Sequence, residues 1–118
     1  MNRLISIVGA GAIIACVFAP ARAADMAAAK QNYDTFCVKC HGASGKGDGP
    51  GAATLATKPR DFADCAVMGK ISDDTMFNVI KKGGAAAGLS KDMQAWSAGF
   101  DDGEMHDLVA YVRTFCKK

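Results

Sequence analysis

Cys37-Val38-Lys39-Cys40-His41 constrains this chain more than any other stretch. Two thiols three positions apart on one helical turn can each add to a vinyl group of haem. The adjacent His41 then offers an imidazole nitrogen to the iron from the same side of the ring. Two other chemistries use paired cysteines. A thioredoxin-like redox pair calls for a βαβ setting, and no alternating apolar strands surround the motif. A zinc site calls for four ligands in paired spacing, and neither a second C-x-x-C nor a histidine pair follows. Covalent haem attachment is the reading the motif favours.

The chain before the motif reads as an address. Met1-Asn2-Arg3 carries positive charge, and Leu4 to Phe18 is an almost unbroken apolar run. Pro20 breaks it, and Ala21-Arg22-Ala23 supplies the small residues that signal peptidase requires. The run is short for a membrane span of roughly 20 residues, which leaves a retained N-terminal anchor as the alternative. Cleavage after Ala23 divides the chain into a signal peptide, 1–23, and a mature domain, 24–118. Export also accounts for five cysteines, a number out of keeping with a reducing compartment.

The 95 residues left are enough for one core. Arg3 and Arg22 leave with the signal, so the 14 basic side chains become 12 against 12 acidic ones. A formally neutral chain gives no reason to expect nucleic-acid binding. A short chain with a thin core of its own gains from enclosing a large apolar cofactor.

Hydrophobic periodicity predicts three helices. The first runs from Asp25, its cap, to Val38, with Tyr33, Phe36 and Cys37 on one face. The second runs from a Ser72 cap to about Lys82, with Met76, Phe77, Val79 and Ile80 as its apolar stripe. Gly83-Gly84 ends it. The third starts at Asp101, where Glu104 completes a capping box, and buries Met105, Leu108, Val109, Val112 and Phe115. Between the first two lies a stretch with five glycines, 42 to 51, either a plain flexible loop or one that passes close to a flat ligand. Ala52 to Ala56 forms a short helical turn, ended before Pro59. Residues 83–100 are irregular and hold Met93 and the single tryptophan, Trp96.

Four features together resemble a small class I cytochrome c. They are the early C-x-x-C-H, the G-x-G-x-G-P loop ending at Pro50, the Met93-Gln94-Ala95-Trp96 segment, and the closing Leu108-Val109-Ala110-Tyr111-Val112-Arg113 helix. Their order spans the whole mature chain. The resemblance implies an all-α class I cytochrome c fold, a few helices wrapped around one covalently attached haem c, with the first and last helices crossing near one edge. It implies attachment through Cys37 and Cys40, ligation by His41, and Met93 as the sixth ligand. Elimination points the same way. Met1 leaves with the signal, Met26 opens a helix, and Met76 and Met105 belong to packed stripes. Met68, in irregular chain, is the competitor. The family also places a proline where Pro50 stands, able to offer its own or the preceding carbonyl to the second nitrogen of His41. Arg60 and Trp96 are either propionate donors or an ordinary surface arginine and core tryptophan. His106, beside the stripe of the last helix, is expected on the surface.

Cys16 leaves with the signal and haem takes Cys37 and Cys40, so Cys65 and Cys116 remain to pair in an oxidising compartment. The expected function is that of a periplasmic single-electron carrier, a monohaem c-type cytochrome with His/Met ligation. Its partners are other redox proteins, met as a monomer or in transient complexes, with no membrane span in the mature chain. Lys39 and Lys46 beside the motif, and Lys81, Lys82 and Lys91 around the Met93 segment, are candidates for steering them. No acid–base pair or activated nucleophile points to an enzyme. A haem sensor with a labile Met93 bond and a subunit of a larger oxidoreductase are the other readings.

Overall fold

The computed structural model describes residues 21–117, and those residues contain helices and no strands. The apolar run Leu4 to Phe18 and the charged Met1-Asn2-Arg3 lie outside the described residues. Helix α1 covers Met26–Phe36, α2 Val38–His41, α3 Cys65–Met68, α4 Asp73–Lys82 and α5 Asp102–Arg113. Single 3-10 turns form at Ala52–Thr54 and Ala85–Ala87.

The helix starts are set by short polar side chains. Asp25 accepts from the Ala28 N–H at 3.0 Å, Ser72 from Thr75 at 3.1 Å, and Asp101 from Glu104 at 2.8 Å. The Glu104 carboxylate returns the bond to the Asp101 N–H at 2.9 Å, closing the capping box. Each cap contributes about 1 kcal/mol. The first helix is interrupted at Cys37, whose N–H still donates to the Tyr33 carbonyl, so the motif rides on an almost continuous helical segment.

Helices α1 and α5 pack together. Ala29 is buried where a larger side chain would hold them apart. Tyr33, 1% exposed, lies against Tyr111 and Phe115, with ring centroids 5.3 and 5.0 Å away. From α5, Met105, Leu108, Val109 and Val112 fill the core beside Met68, Met76 and Phe100. Phe115, expected within the last helix, falls beyond its end at Arg113 but keeps its place against the core.

Met68 departs from its expected setting. It closes the short helix α3, which Asp64 caps by accepting from the Ala66 and Val67 N–H groups, and its side chain is 1% exposed in the core. Arg113 explains why this region is ordered without strong helical periodicity. Its guanidinium donates to the Met68 carbonyl at 2.7 Å, to the Ile71 carbonyl, and to Asp73 at 2.8 Å. One side chain from α5 thus satisfies the end of α3 and steadies the start of α4. The sulfurs of Cys65 and Cys116, 2.00 Å apart, join α3 to the chain just past α5.

Arg22 donates to Asp107 at 3.1 Å, and the Asp107 side chain is only 8% exposed. This partner of a buried carboxylate belongs to the stretch that cleavage after Ala23 would remove.

Candidate functional site

One apolar cleft gathers side chains from every major element. Tyr33 and Cys37 reach it from α1 and its junction, His41 from α2, Phe62 from the chain before α3, and Ile80 from α4. Met93, Trp96 and Phe100 come from the irregular segment, and Leu108 and Val112 from α5. Four residues named from the sequence therefore meet: Cys37, His41, Met93 and Trp96. Cys40 completes the motif one turn from Cys37 and is half-buried. Met68 and His106 are not among the lining residues. His106 stacks on Phe77 at 4.1 Å on an exposed face.

The loop bearing Met93 hangs on the end of α4. Gly84 N–H donates to the Met93 carbonyl at 2.8 Å, and Trp96 N–H donates to the Ile80 carbonyl at 2.9 Å. Gly83 makes this approach possible. Its φ is +83°, and a Cβ there would meet the Met93 carbonyl and the Ala95 N–H group at 3.0 and 3.1 Å. Trp96 packs edge-on against Phe36 and beside Phe100, at 5.7 and 5.8 Å between centroids.

The electrostatics suit ligands rather than charged catalysts. Burial pushes the His41 imidazole down to about 4, opposed by the Arg60 backbone that faces it, so the ring is neutral at ordinary pH. Its Nδ1 is buried without a hydrogen-bond partner. Burial, with Cys40 beside it, pushes the Cys37 thiol up to about 11. Cys37 and Cys40 are both free thiols rather than a disulfide. Two free thiols, a neutral imidazole and a half-buried thioether around an apolar cleft are a donor set that fits haem c.

Pro50 and Arg60 stand differently from the other residues named. Both are exposed, and neither lines the cleft. The backbone of Arg60 faces His41. Lys81 also turns away: its ammonium donates to both Asp102 oxygens, at 2.8 and 2.9 Å, on the outer face of α4 and α5. The sequence reading missed Tyr33, Phe62, Ile80 and Phe100 as lining residues. Phe62 had one available signal, being the single Phe, Tyr or Trp between Phe36 and Phe77.

Helices without strands among the described residues, closed around such a cleft, suit a c-type cytochrome, and the comparisons agree. The chain belongs to the family described as cytochrome c oxidase, cbb3-type, subunit III, whose profile matches residues 24–112. It is 33% identical over 92 residues to cytochrome c-554(547) of Halothiobacillus neapolitanus, covering 78% of this chain and 98% of that protein. Among solved structures, the KustC0563 c-type cytochrome superposes with a TM-score of 0.62 at 28% identity, over 75% of this chain and 98% of that one. The Kuenenia stuttgartiensis reducing HAO-like protein complex Kustc0457/Kustc0458 gives 0.65 at 27% identity, over 84% of this chain and 48% of that one. Membership makes this an electron-transfer protein with covalently attached haem c. Among the described residues, no helix is long and apolar enough to cross a membrane.

Proposed function

We propose that the protein is an exported single-electron carrier whose one haem is held by Cys37 and Cys40 and ligated by His41 and Met93. The observation that carries this reading is that His41 and Met93 line the same apolar cleft as Cys37, while Met68 is committed to the core. Haem c, when bound, supplies a centre that takes up and releases one electron. Cys37 and Cys40 hold it by thioether bonds. The neutral imidazole of His41 and the thioether of Met93 would be the protein donors to its iron, and a soft, neutral sulfur would favour the ferrous state. Ile80, Phe100, Leu108 and Val112 keep water from the cleft. Trp96 braces the Met93 loop, and Trp96 and Arg60 remain the candidate propionate donors.

Residues 1–23 direct export to the periplasm, and the mature chain begins at Ala24. Donor and acceptor are redox proteins met in passing. The reducing HAO-like complex among the structural relatives favours a second reading, the same transfer performed inside a stable assembly with a larger redox enzyme. Gel filtration of native extract separates the two, since a free carrier elutes at the size of one chain.

The central test is spectroscopic. The purified mature protein should contain one haem per chain by intact mass, resist haem extraction, and stay low-spin and unreactive when the reduced form meets carbon monoxide. Rapid carbon monoxide binding would favour a sensor with a labile Met93 bond and overturn the carrier reading.

A further inference from the structure

Phe62 lies face-on against the imidazole of His41, with ring centroids 4.5 Å apart and planes 14° from parallel. That separation is at the close end of the range for interacting aromatic rings. The two residues share no element: His41 ends α2, and Phe62 precedes α3. The contact is therefore built by the fold, and two features build it. The Phe62 N–H donates to the Gly45 carbonyl at 2.6 Å. Gly47, at φ +71°, lets the chain at Pro59 come close; a Cβ there would sit 2.2 Å from the Pro59 carbonyl oxygen. Phe115 stacks on Phe62 in turn, at 6.5 Å and 23°.

The contact bears on how the His41 ring is held. A ligating histidine usually has its ring rotation fixed by a hydrogen bond from its other nitrogen. Here the Arg60 backbone faces the ring, yet the buried Nδ1 makes no hydrogen bond of good geometry, so packing also bears on the ring's rotation. A flat ring packed face to face opposes rotation of the imidazole out of the shared plane, because tilting either ring breaks the stack.

We propose that Phe62 is the positioning residue for His41, fixing by stacking the rotation of the imidazole plane about its bond to the iron. This rests on the reading of His41 as an axial ligand. The plane of an axial imidazole selects which iron orbital it overlaps, and so sets the distribution of unpaired spin over the oxidised haem. Removing the ring from the face of the imidazole also changes the burial around the ligand, and with it the reduction potential.

The test uses the oxidised holoprotein and reads the hyperfine-shifted proton resonances of the four haem methyls, together with the midpoint potential. Phe62→Leu should reorder or respace the methyl shifts and move the potential. Phe62→Tyr, which keeps the ring, should return both to wild-type values. Phe77→Leu, which removes the stacked partner of surface His106, should move neither. If Phe62→Leu does not assemble, Phe62→Met, with similar volume and no ring, decides the matter. A ringless variant with the wild-type methyl pattern and potential would overturn the proposal. Failure of the ligand reading looks different: His41→Ala would then retain the wild-type low-spin spectrum.

Discussion

Replacing Cys65 and Cys116 together with serine isolates the contribution of a single covalent tie. The bonded residues are 51 positions apart. In the chain-entropy treatment, closing a loop of that length removes about 14 cal/mol/K from the unfolded ensemble, or about 4 kcal/mol at 25 °C. Little of this should be offset by loosening of the native state. Arg113 still holds α5 to the Met68 carbonyl and to Asp73 without the sulfurs. The thioether bonds at Cys37 and Cys40 join positions three residues apart, so in the unfolded chain they do not substitute for the tie. For a domain of this size, 4 kcal/mol corresponds to a fall in Tm on the order of 20 °C. The assay is denaturant and thermal unfolding of the ferric holoprotein, wild type against the double variant, followed by far-UV circular dichroism. Thiol titration of the unfolded, unreduced wild type should find no free cysteine. Two reactive thiols, or midpoints that agree within about 1 kcal/mol, would refute the reasoning.

Met93→Ala should leave haem covalently bound while the sixth site opens, the potential drops and the near-infrared sulfur-to-iron charge-transfer band of the oxidised protein disappears. Met68→Leu should keep that band and cost less than about 1.5 kcal/mol of stability, as a volume-conserving core change; the opposite assignment of the band would reverse the ligands. Electron transfer to an acidic redox partner should slow as ionic strength rises. At low salt, Lys39→Ala and Lys46→Ala should each be slower than wild type. Lys81→Ala should match wild type, because Asp102 already engages that ammonium, and a Lys81→Ala rate as low as the others would contradict this. Asp107→Asn should cost up to about 1 kcal/mol in a chain that retains Arg22, the scale of a partly exposed ion pair. In a chain starting at Ala24 it should cost nothing, and equal losses in the two forms, measured by urea unfolding, would show that Arg22 is not the partner that matters.

What was legible in the sequence follows the range of the interactions. The caps at Asp25, Ser72 and Asp101 are bonds across three residues, so their residue types alone announce them. The stripe Met105, Leu108, Val109 and Val112 states its buried face by spacing. Met93 and Trp96 were recognisable through their segment, because irregular chain with one soft donor has few structural uses. Helix α3 was not legible. Four residues carry no period, and its order comes from Asp64 locally and from Arg113, 45 residues away from Met68. The same limit hid the partner of Lys81, since Asp102 is 21 residues further on.

The two sides of the cleft are built from these different kinds of information. On the His41 side, the thiols and the imidazole share one nearly continuous helical segment, locked where the Tyr33 hydroxyl donates to the buried Gly42 carbonyl at 2.8 Å. On the Met93 side, the thioether sits on irregular chain attached to α4 through the Gly84 and Trp96 bonds and the packing of Trp96 against Phe36 and Phe100. Regions with few buried apolar contacts open first. The Met93 loop, on irregular chain, is therefore expected to open before the helical His41 side. On the proposed ligation by His41 and Met93, the helical side would hold the cofactor in place while the softer side adjusts.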